Sequence, residues 1–589
     1  MKRLFALVFS ALFLFTAYAS ENEKIETWRI MELKFSSGTD YTEAGADGIW
    51  MDVEFIHERT RQSIVRPAFW DGERSFIVRF APTQKGKWSY MTRCKQDASL
   101  DNIAGSFKCA AYRGDLEIYK RGFVQCEKGK KYMTYADGTP FFYLGDTHWG
   151  MLTEEIDEAG EHAGDIKTDS HFKYIVDRRV EQGFTVYQSE PINSAFNVED
   201  GEVNASDIPG FRLTDRYFDY IAKAGLTHVN AQFFFVASMS PKLAADDEKL
   251  EWLSRYWVAR YGAYPVMWTL AQECDNDFYR ERGDQKFYDF NSNPWVKVAE
   301  YLHKYDAYSH PLSAHQESAY FTTVTGRGVD FGATNSDGGG ASAFAAAEVA
   351  ERTGHNWWAS QWSTPLDAPV NADLVRDYWE DDRPAINFEG RYCGLWTMDF
   401  GARVQGWVSF LSGFMGYGYG AIDMWLYKST YNIDVPSHDG IEEITCEDKM
   451  KHWSEAIEYP SAHQMTYMRS FLEQLDWWKL VPVLPGDPNF SAKSAAYAYA
   501  KGDGVELLYF FARDTKSGTI NSLEPNRRYN LVWYNPRTHK AQKAVKICSD
   551  ENGSLTLPDK PDQQGSVLFC VSVAISSKPV NFGCLCKVS

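Results

Sequence analysis

Metal-ligand spacing is missing from this chain. Its ten cysteines, Cys94, Cys109, Cys126, Cys274, Cys393, Cys446, Cys548, Cys570, Cys584 and Cys586, repeat no zinc-type interval, and no HExxH pattern occurs. A metallopeptidase is therefore poorly supported, and neither a metal nor a cofactor is expected. A phosphate loop is missing too: the run GFMGYGYGAIDMW from Gly413 to Trp425 has closely spaced glycines but no lysine after them. Cationic excess is absent, with 61 Lys and Arg against 80 Asp and Glu and a formal charge of -19. Such a surface repels phosphate backbones and anionic membranes, so nucleic acid is not an expected partner. Past the first twenty residues no long apolar run remains. The opening itself, Lys2-Arg3 followed by an apolar stretch from Leu4 to Tyr18 and the small-residue site Ala17-Tyr18-Ala19, has the pattern of a secretory signal peptide. It is short for a membrane span, and no basic stop-transfer cluster follows. The expectation is export to the periplasm or the cell exterior, with no membrane insertion once residues 1–19 are removed.

Aromatic residues, by contrast, are plentiful. Twenty tryptophans and an aromatic fraction of 15% exceed what a core requires, and aromatic faces are surfaces on which sugar rings stack. The chain is too long for one core, so two or three domains are expected. Residues 20–115 alternate in short runs such as WMDVEFIH and SFIVRFAP, broken by Asp71-Gly72, Pro82 and Lys85-Gly86; period two with turn chemistry predicts an antiparallel β-sandwich. Cys94 and Cys109 fall within it, and Cys548 and Cys570 within a later β region. Each pair could form a disulfide, and unpaired thiols are an equal alternative.

From residue 116 to 485 the rhythm changes. Thr168 or Asp169 can cap a helix whose Phe172, Ile175, Val176 and Val180 share a face, Gly183 can close it, and FTVYQ follows as a strand. The unit recurs: a helix from Asp215 closed by Gly225 before LTHVNAQFFFV, a helix from Leu243 closed by Gly262 before PVMWTLAQE, and a helix from Pro294 to Tyr305 before HPLSAH. With TPFFYLGDTHWG ahead of them, and HNWWASQ, PAINFE and the glycine-rich GFMGYGYG stretch after them, eight strands are available. Repeated helix, glycine and buried strand predict an α/β fold, a (β/α)8 TIM barrel. A helix over 461–484, a second antiparallel β-sandwich over 486–578 and a tail over 579–589 complete the expected organisation.

Two of the barrel strands lead to glutamates, Glu273 after the fourth and Glu389 after the seventh. Strand ends of a barrel share one mouth, so two carboxyls there form a candidate acid/base pair. Glycosidic bonds need such a pair, because one carboxyl protonates the leaving oxygen while the other attacks or stabilises the oxocarbenium-like carbon. Asp146, His148 and Trp149 at the end of the first strand, Gln188 and Glu190 after the second, and Gln232 in the third-strand run are candidates to line the pocket. Gln361 and Trp425 complete that set. For Asp146 the alternative is helix capping, and for Trp149 it is core packing.

The motifs PFFYLGDTHWG, PVMWTLAQE, HPLSAH, NFEG and GWVSFLSGFMGYGYG together resemble the apiosidase-like barrels, glycoside hydrolase family 140 and its relatives, over roughly Thr139 to Leu484. The run from Phe69 to Tyr90 likewise resembles the β-sandwich that precedes the barrel in many bacterial polysaccharide-degrading enzymes. The resemblance implies a retaining hydrolase of carbohydrate, by analogy plant cell-wall polysaccharide, with Glu273 as general acid/base and Glu389 as nucleophile. It also implies that His315 lines the site and that Gln272 binds the sugar's 2-hydroxyl, at a position where relatives usually carry asparagine. The competing class is a carbohydrate-binding or adhesive protein with a degenerate barrel.

Overall fold

The computed structural model describes residues 24–151, 154–157, 166, 168–190, 198, 200–230, 241–270, 294–313, 358–360, 379, 383–390, 392–393, 399–425, 452–484, 486–492, 497–510, 517–562 and 566–572. At its centre lie eight short parallel strands: β1 (Tyr143–His148), β2 (Val186–Ser189), β3 (Thr227–Asn230), β4 (Val266–Thr269), β5 (Leu312–Ser313), β6 (Trp358–Ser360), β7 (Ala385–Asn387) and β8 (Gly416–Tyr419). They are hydrogen-bonded in the order β5-β4-β3-β2-β1-β8-β7-β6. That is the order of an eight-stranded barrel opened between its fifth and sixth strands. The sheet is strongly curled. Gln188 on β2 donates from Nε2 to the carbonyl of Phe388, just past β7, at 2.9 Å. Three flat strand spacings would separate them by about 14 Å, whereas a glutamine side chain plus one hydrogen bond reaches roughly 8 Å.

Helices precede the strands as their sequence periods require. In α1 (His171–Glu181) the cap is Ser170, not Thr168 or Asp169: its side chain accepts from the Lys173 amide. Phe172, Ile175 and Val176 are buried, but Val180 is exposed, because the inward place one residue earlier is taken by Arg179. Gly183 closes the helix with φ 81°, a left-handed conformation that glycine adopts without a Cβ penalty. The next helix, α2 (Ile208–Lys223), starts seven residues before Asp215, with a proline in its first turn. Asp215 is thus a mid-helix residue. Then come α3 (Asp247–Tyr261), capped by Asp246, α4 (Pro294–Tyr305), α5 (Asp399–Leu411) and α6 (Pro460–Leu472).

Two antiparallel sheets precede the parallel one, a three-stranded sheet containing Met31–Tyr41 and Glu73–Phe80 and a four-stranded sheet containing Met51–His57 and Gly86–Cys94. Burial alternates along Met51–His57, and Phe55 stacks on Phe80 of the other sheet at 3.9 Å between ring centres. Cys94 and Cys109 do not pair. Gly86 lies opposite Cys109, so Cys94 is eight residues further along the strand, roughly 26 Å away, and both thiols are free and buried. Cys548 is free as well; it lies opposite Arg528, whereas Cys570 lies opposite Leu531 on the other edge of that strand.

The N-terminal sheets and the strands and helices around β3 and β4 share one continuous apolar cluster, from Phe55 and Trp88 to Trp257 and Val266. On the opposite flank a seven-stranded antiparallel sheet packs on α5 and α6. There Trp407 meets Tyr509 and Tyr534, and Phe471 meets Tyr534 at 4.6 Å. Among the described residues no helix is long and apolar enough to cross a membrane.

Candidate active site

Alternation along the strands gives the parallel sheet two chemically different faces. On β1, Asp146 and His148 point to the helix layer. Tyr187 of β2, in register with Asp146, stacks on His148 at 4.2 Å and meets Phe172 of α1. Tyr143, Gly145, Thr147 and Trp149 take the concave face.

Glu389 follows β7 by two residues and is 4% exposed. Its Oε1 accepts the indole N–H of Trp149 at 3.2 Å and the hydroxyl hydrogen of Tyr392. The same indole N–H also approaches the Tyr392 hydroxyl oxygen at 2.7 Å. The end of β1 and the segment after β7 therefore meet on one carboxylate, although β8 lies between them. A charge held by two oriented donors in a dry setting is pre-organised, since no water must rearrange around it when bonding changes. Tyr392 was not foreseen from the sequence. The available signal was its place three residues beyond Glu389 in NFEGRY, where the chain turns back toward β8 through the Cys393–Ala421 bridge.

Asp146 and His148 belong to a different constellation, and the expectation that they floor a sugar pocket is corrected here. His148 Nδ1 lies 2.7 Å from Glu154 Oε1, and its Nε2 lies 2.9 Å from Asp146 Oδ2 in an ion-pair contact. Asp146 Oδ2 also accepts from Arg179 Nε, and Glu154 Oε2 accepts from the Tyr187 hydroxyl at 2.9 Å. All of these side chains are buried. Burial alone would push the His148 pKa down, but the carboxylates of Glu154 and Asp146 outweigh it and raise it to about 9. Asp146 stays below the usual carboxylate range: desolvation opposes its charge, and Arg179 and His148 overcome that opposition. This neutral set of two carboxylates, one imidazolium and one guanidinium pins β1 to α1 and to the segment following β1. Next to it His228 on β3, whose Nε2 lies 2.6 Å from the Ser189 hydroxyl, is driven down to about 3 by burial and by His148, and is a neutral imidazole.

Gln188 faces the concave side, but its polar atoms are engaged by protein: Oε1 accepts from the Tyr143 hydroxyl at 2.8 Å, and Nε2 donates to Phe388 O. Trp149 is 6% exposed and is placed by its bond to Glu389. Trp425 ends the short helix Ile422–Trp425. Gln232, Gln272, Glu273, His315 and Gln361 lie outside the described residues. Among the described residues no group of three or more His, Cys, Asp or Glu is arranged to hold a metal ion.

A buried glutamate that accepts two hydrogen bonds at the C-terminal end of a strand in a curled parallel sheet is an arrangement a glycoside hydrolase can use. Similarity agrees with that class. Residues 127–479 match the family model for the apiosidase-like catalytic domain, and residues 24–95 match a domain of unknown function (DUF5060). The chain belongs to the apiosidase-like family and is a glycosidase. Among solved structures it resembles a candidate glycoside hydrolase from Bacteroides vulgatus at 15% identity and a TM-score of 0.61, covering 94% of this chain and all of that one. It also resembles a family 5 glycoside hydrolase from the same organism at 16% identity and a TM-score of 0.53, covering 78% of this chain and 95% of that one. At such identities the likeness concerns fold. No curated protein matches.

Proposed function

We infer that this is an exported, retaining glycoside hydrolase acting on a polysaccharide of plant cell-wall type. Residues 1–19 serve as the export signal, 20–115 form a β-sandwich, 116–485 form a closed (β/α)8 barrel, 486–578 form a second β-sandwich and 579–589 a tail. The observation that carries the catalytic part of the reading is the buried carboxylate of Glu389, held by Trp149 and Tyr392 at the mouth end of β7. A nucleophile must be aimed, and two donors converging on Oε1 fix the direction in which the Glu389 carboxylate points.

In the first step a Glu389 oxygen bonds to the anomeric carbon as the bond from that carbon to the leaving oxygen breaks, and Glu273 delivers its proton to that oxygen. In the second, Glu273 takes a proton from water, the water oxygen bonds to the anomeric carbon, and the bond to Glu389 breaks. Gln272, Gln232, His315, Gln361 and Trp425 are the proposed sugar contacts.

The test is turnover by Glu389→Gln and Glu273→Gln, together with the anomeric configuration of the first-formed product by NMR on a panel of plant polysaccharides and aryl glycosides. Both variants should lose hydrolysis while still binding the glycan, and the product should keep its configuration. Full activity in either variant removes that residue from the mechanism. Inversion would instead require carboxyls about 6.5–9.5 Å apart rather than about 5–5.5 Å.

A further inference from the structure

Three glycines of GFMGYGYG line one face of β8 and its continuation. Gly416, Gly418 and Gly420 are spaced by two, so all three present to the concave side of the sheet. Neighbours fill the space that side chains would have taken. A methyl group on Gly416 would meet the Tyr143 side chain and Ile386, and one on Gly420 would meet the Thr147 hydroxyl and the Tyr392 ring. One on Gly418 would be driven into the Phe388 carbonyl, and one on Gly145, its register partner on β1, would strike Gln188 Oε1. Side chains can swing aside. The Phe388 carbonyl cannot, since it is backbone.

That carbonyl belongs to the peptide linking Phe388 to Glu389. The β7–β8 ladder ends at Asn387 opposite Tyr417, and the Phe388 carbonyl then turns onto the bare surface of Gly418, where Gln188 Nε2 meets it. Gln188 is in turn fixed by the Tyr143 hydroxyl, and both side chains are fully buried. Burial holds the Tyr143 phenol well above its ordinary range, so it remains a donor.

We propose that Gln188 is a positioning residue for Glu389 and not a substrate ligand: seated over Gly145 and Gly418, it clamps the peptide that carries the nucleophile. The proposal rests on the reading of Glu389 given above. Glu389 is then fixed from two sides, its backbone through Gln188 and its carboxylate through Tyr392 and Trp149. A side chain whose amide oxygen and one amide hydrogen are spent on protein is badly placed to read a sugar hydroxyl. It is well placed to fix a peptide.

The experiment compares Gln188→Met, Gln188→Glu and Gly418→Ala with wild type and Glu389→Gln, using a 4-nitrophenyl glycoside that the wild type hydrolyses, and adds crystal structures of wild type and Gln188→Met. Gln188→Met keeps the volume and loses both bonds, so kcat should fall about 10- to 100-fold with KM within about threefold, the loss expected when a reacting group moves by an ångström or less. Gln188→Glu still accepts from Tyr143 but turns an acceptor toward the Phe388 carbonyl when ionised. Its kcat relative to wild type should therefore rise as pH falls and the new carboxyl becomes a donor, which lost packing alone would not produce. Gly418→Ala should show the same low kcat, and if it fails to fold the two Gln188 variants decide.

A KM increase of about tenfold or more with kcat intact would make Gln188 a substrate ligand and overturn the proposal. So would a Gln188→Met crystal structure with the Glu389 carboxylate unmoved on Tyr392 and Trp149. Retained activity in Glu389→Gln would instead sink the nucleophile reading. The clamp is then judged on the crystal structures alone, by whether Glu389 shifts when Gln188 is replaced.

Discussion

Replacing Asp215 by asparagine should loosen the seam between the N-terminal sheets and the α/β core. Asp215 on α2 accepts four hydrogen bonds. Arg79 Nη1 reaches Oδ1 at 3.1 Å and Nη2 reaches Oδ2 at 2.7 Å; Arg260 Nε reaches Oδ1 at 2.8 Å and Nη2 reaches Oδ2 at 2.7 Å. Arg79 stands on the strand Glu73–Phe80 of the N-terminal region and Arg260 near the end of α3, so one carboxylate ties three elements together. Glu32 and Asp71 give the two guanidiniums one further carboxylate each, at 2.9 and 3.0 Å. Burial opposes the charge on Asp215, yet Arg260 and Arg79 outweigh it and hold the pKa at about 2. Against an ordinary value of 3.8 this corresponds to roughly 2–3 kcal/mol. Because the folded pKa is the lower one, that stability is fully present above pH 3.8 and is lost as pH falls through 2. The substitution also strips two buried cations of their shared partner, for which about 3–5 kcal/mol is the usual cost. Urea denaturation followed by tryptophan fluorescence and calorimetry would measure it. The expectation is one shared transition for the N-terminal region and core in wild type, a loss of about 3–5 kcal/mol in Asp215→Asn, and a flatter acid limb in the variant between pH 3.8 and 2. A loss under about 1 kcal/mol, or independent melting of the two regions in wild type, would refute the reasoning.

Two smaller perturbations test the site and the charge network behind it. Tyr392→Phe removes one donor from the Glu389 carboxylate; a hydrogen bond to a charged group contributes about 1.5–3 kcal/mol, so kcat should fall roughly 10- to 100-fold with the melting temperature nearly unchanged, and an unaltered kcat would deny the bond a catalytic use. His148→Gln concerns pH: the folded pKa of about 9 exceeds the ordinary 6.5, so the histidine's contribution, roughly 3 kcal/mol, is complete below pH 6.5 and lost as pH rises through 9. Denaturation midpoints of wild type should therefore decline over that window, the glutamine variant should decline less, and parallel curves would show that the imidazolium is not what holds β1 to α1.

The second, third and fourth strands were legible because each carries a run of apolar or β-branched residues after a helix stop, and Gly183 and Gly225 mark two of those stops with positive φ. Less legible was which way each residue faces once a strand has only two to six members. In GDTHWG every residue but one is fully or nearly fully buried, so burial pattern cannot tell the concave face from the helix face, and the sequence alone leaves Asp146 and His148 as pocket candidates. What decides the matter is Arg179, thirty-three residues downstream of Asp146, a partner that spacing does not reveal. The same limit applies to Asp215, which reads as the start of a helix but serves as a mid-helix counter-ion because its helix begins at Ile208. Tyr392 and the empty face of β8 escaped for another reason. Their meaning lies in space made by one strand and used by another, and no single stretch of sequence records it.

Strand β1 shows how the two faces are coupled. Asp146 and His148 fasten it to Arg179 and Glu154 on the helix side, while Gly145 makes room for Gln188 and Trp149 reaches Glu389 on the concave side. Since side-chain direction alternates with every residue, slipping the strand by one position would move the ionic set into the cavity and the indole into the helix layer together. The buried charges therefore do more than stabilise. An apolar replacement of the whole set could leave the fold as stable or more so, but it would remove the element that holds β1 in one register against α1, and with it the fixed placement of the Trp149 indole over the Glu389 carboxylate. Register, set on the face away from substrate, is what aims the donor on the face toward it.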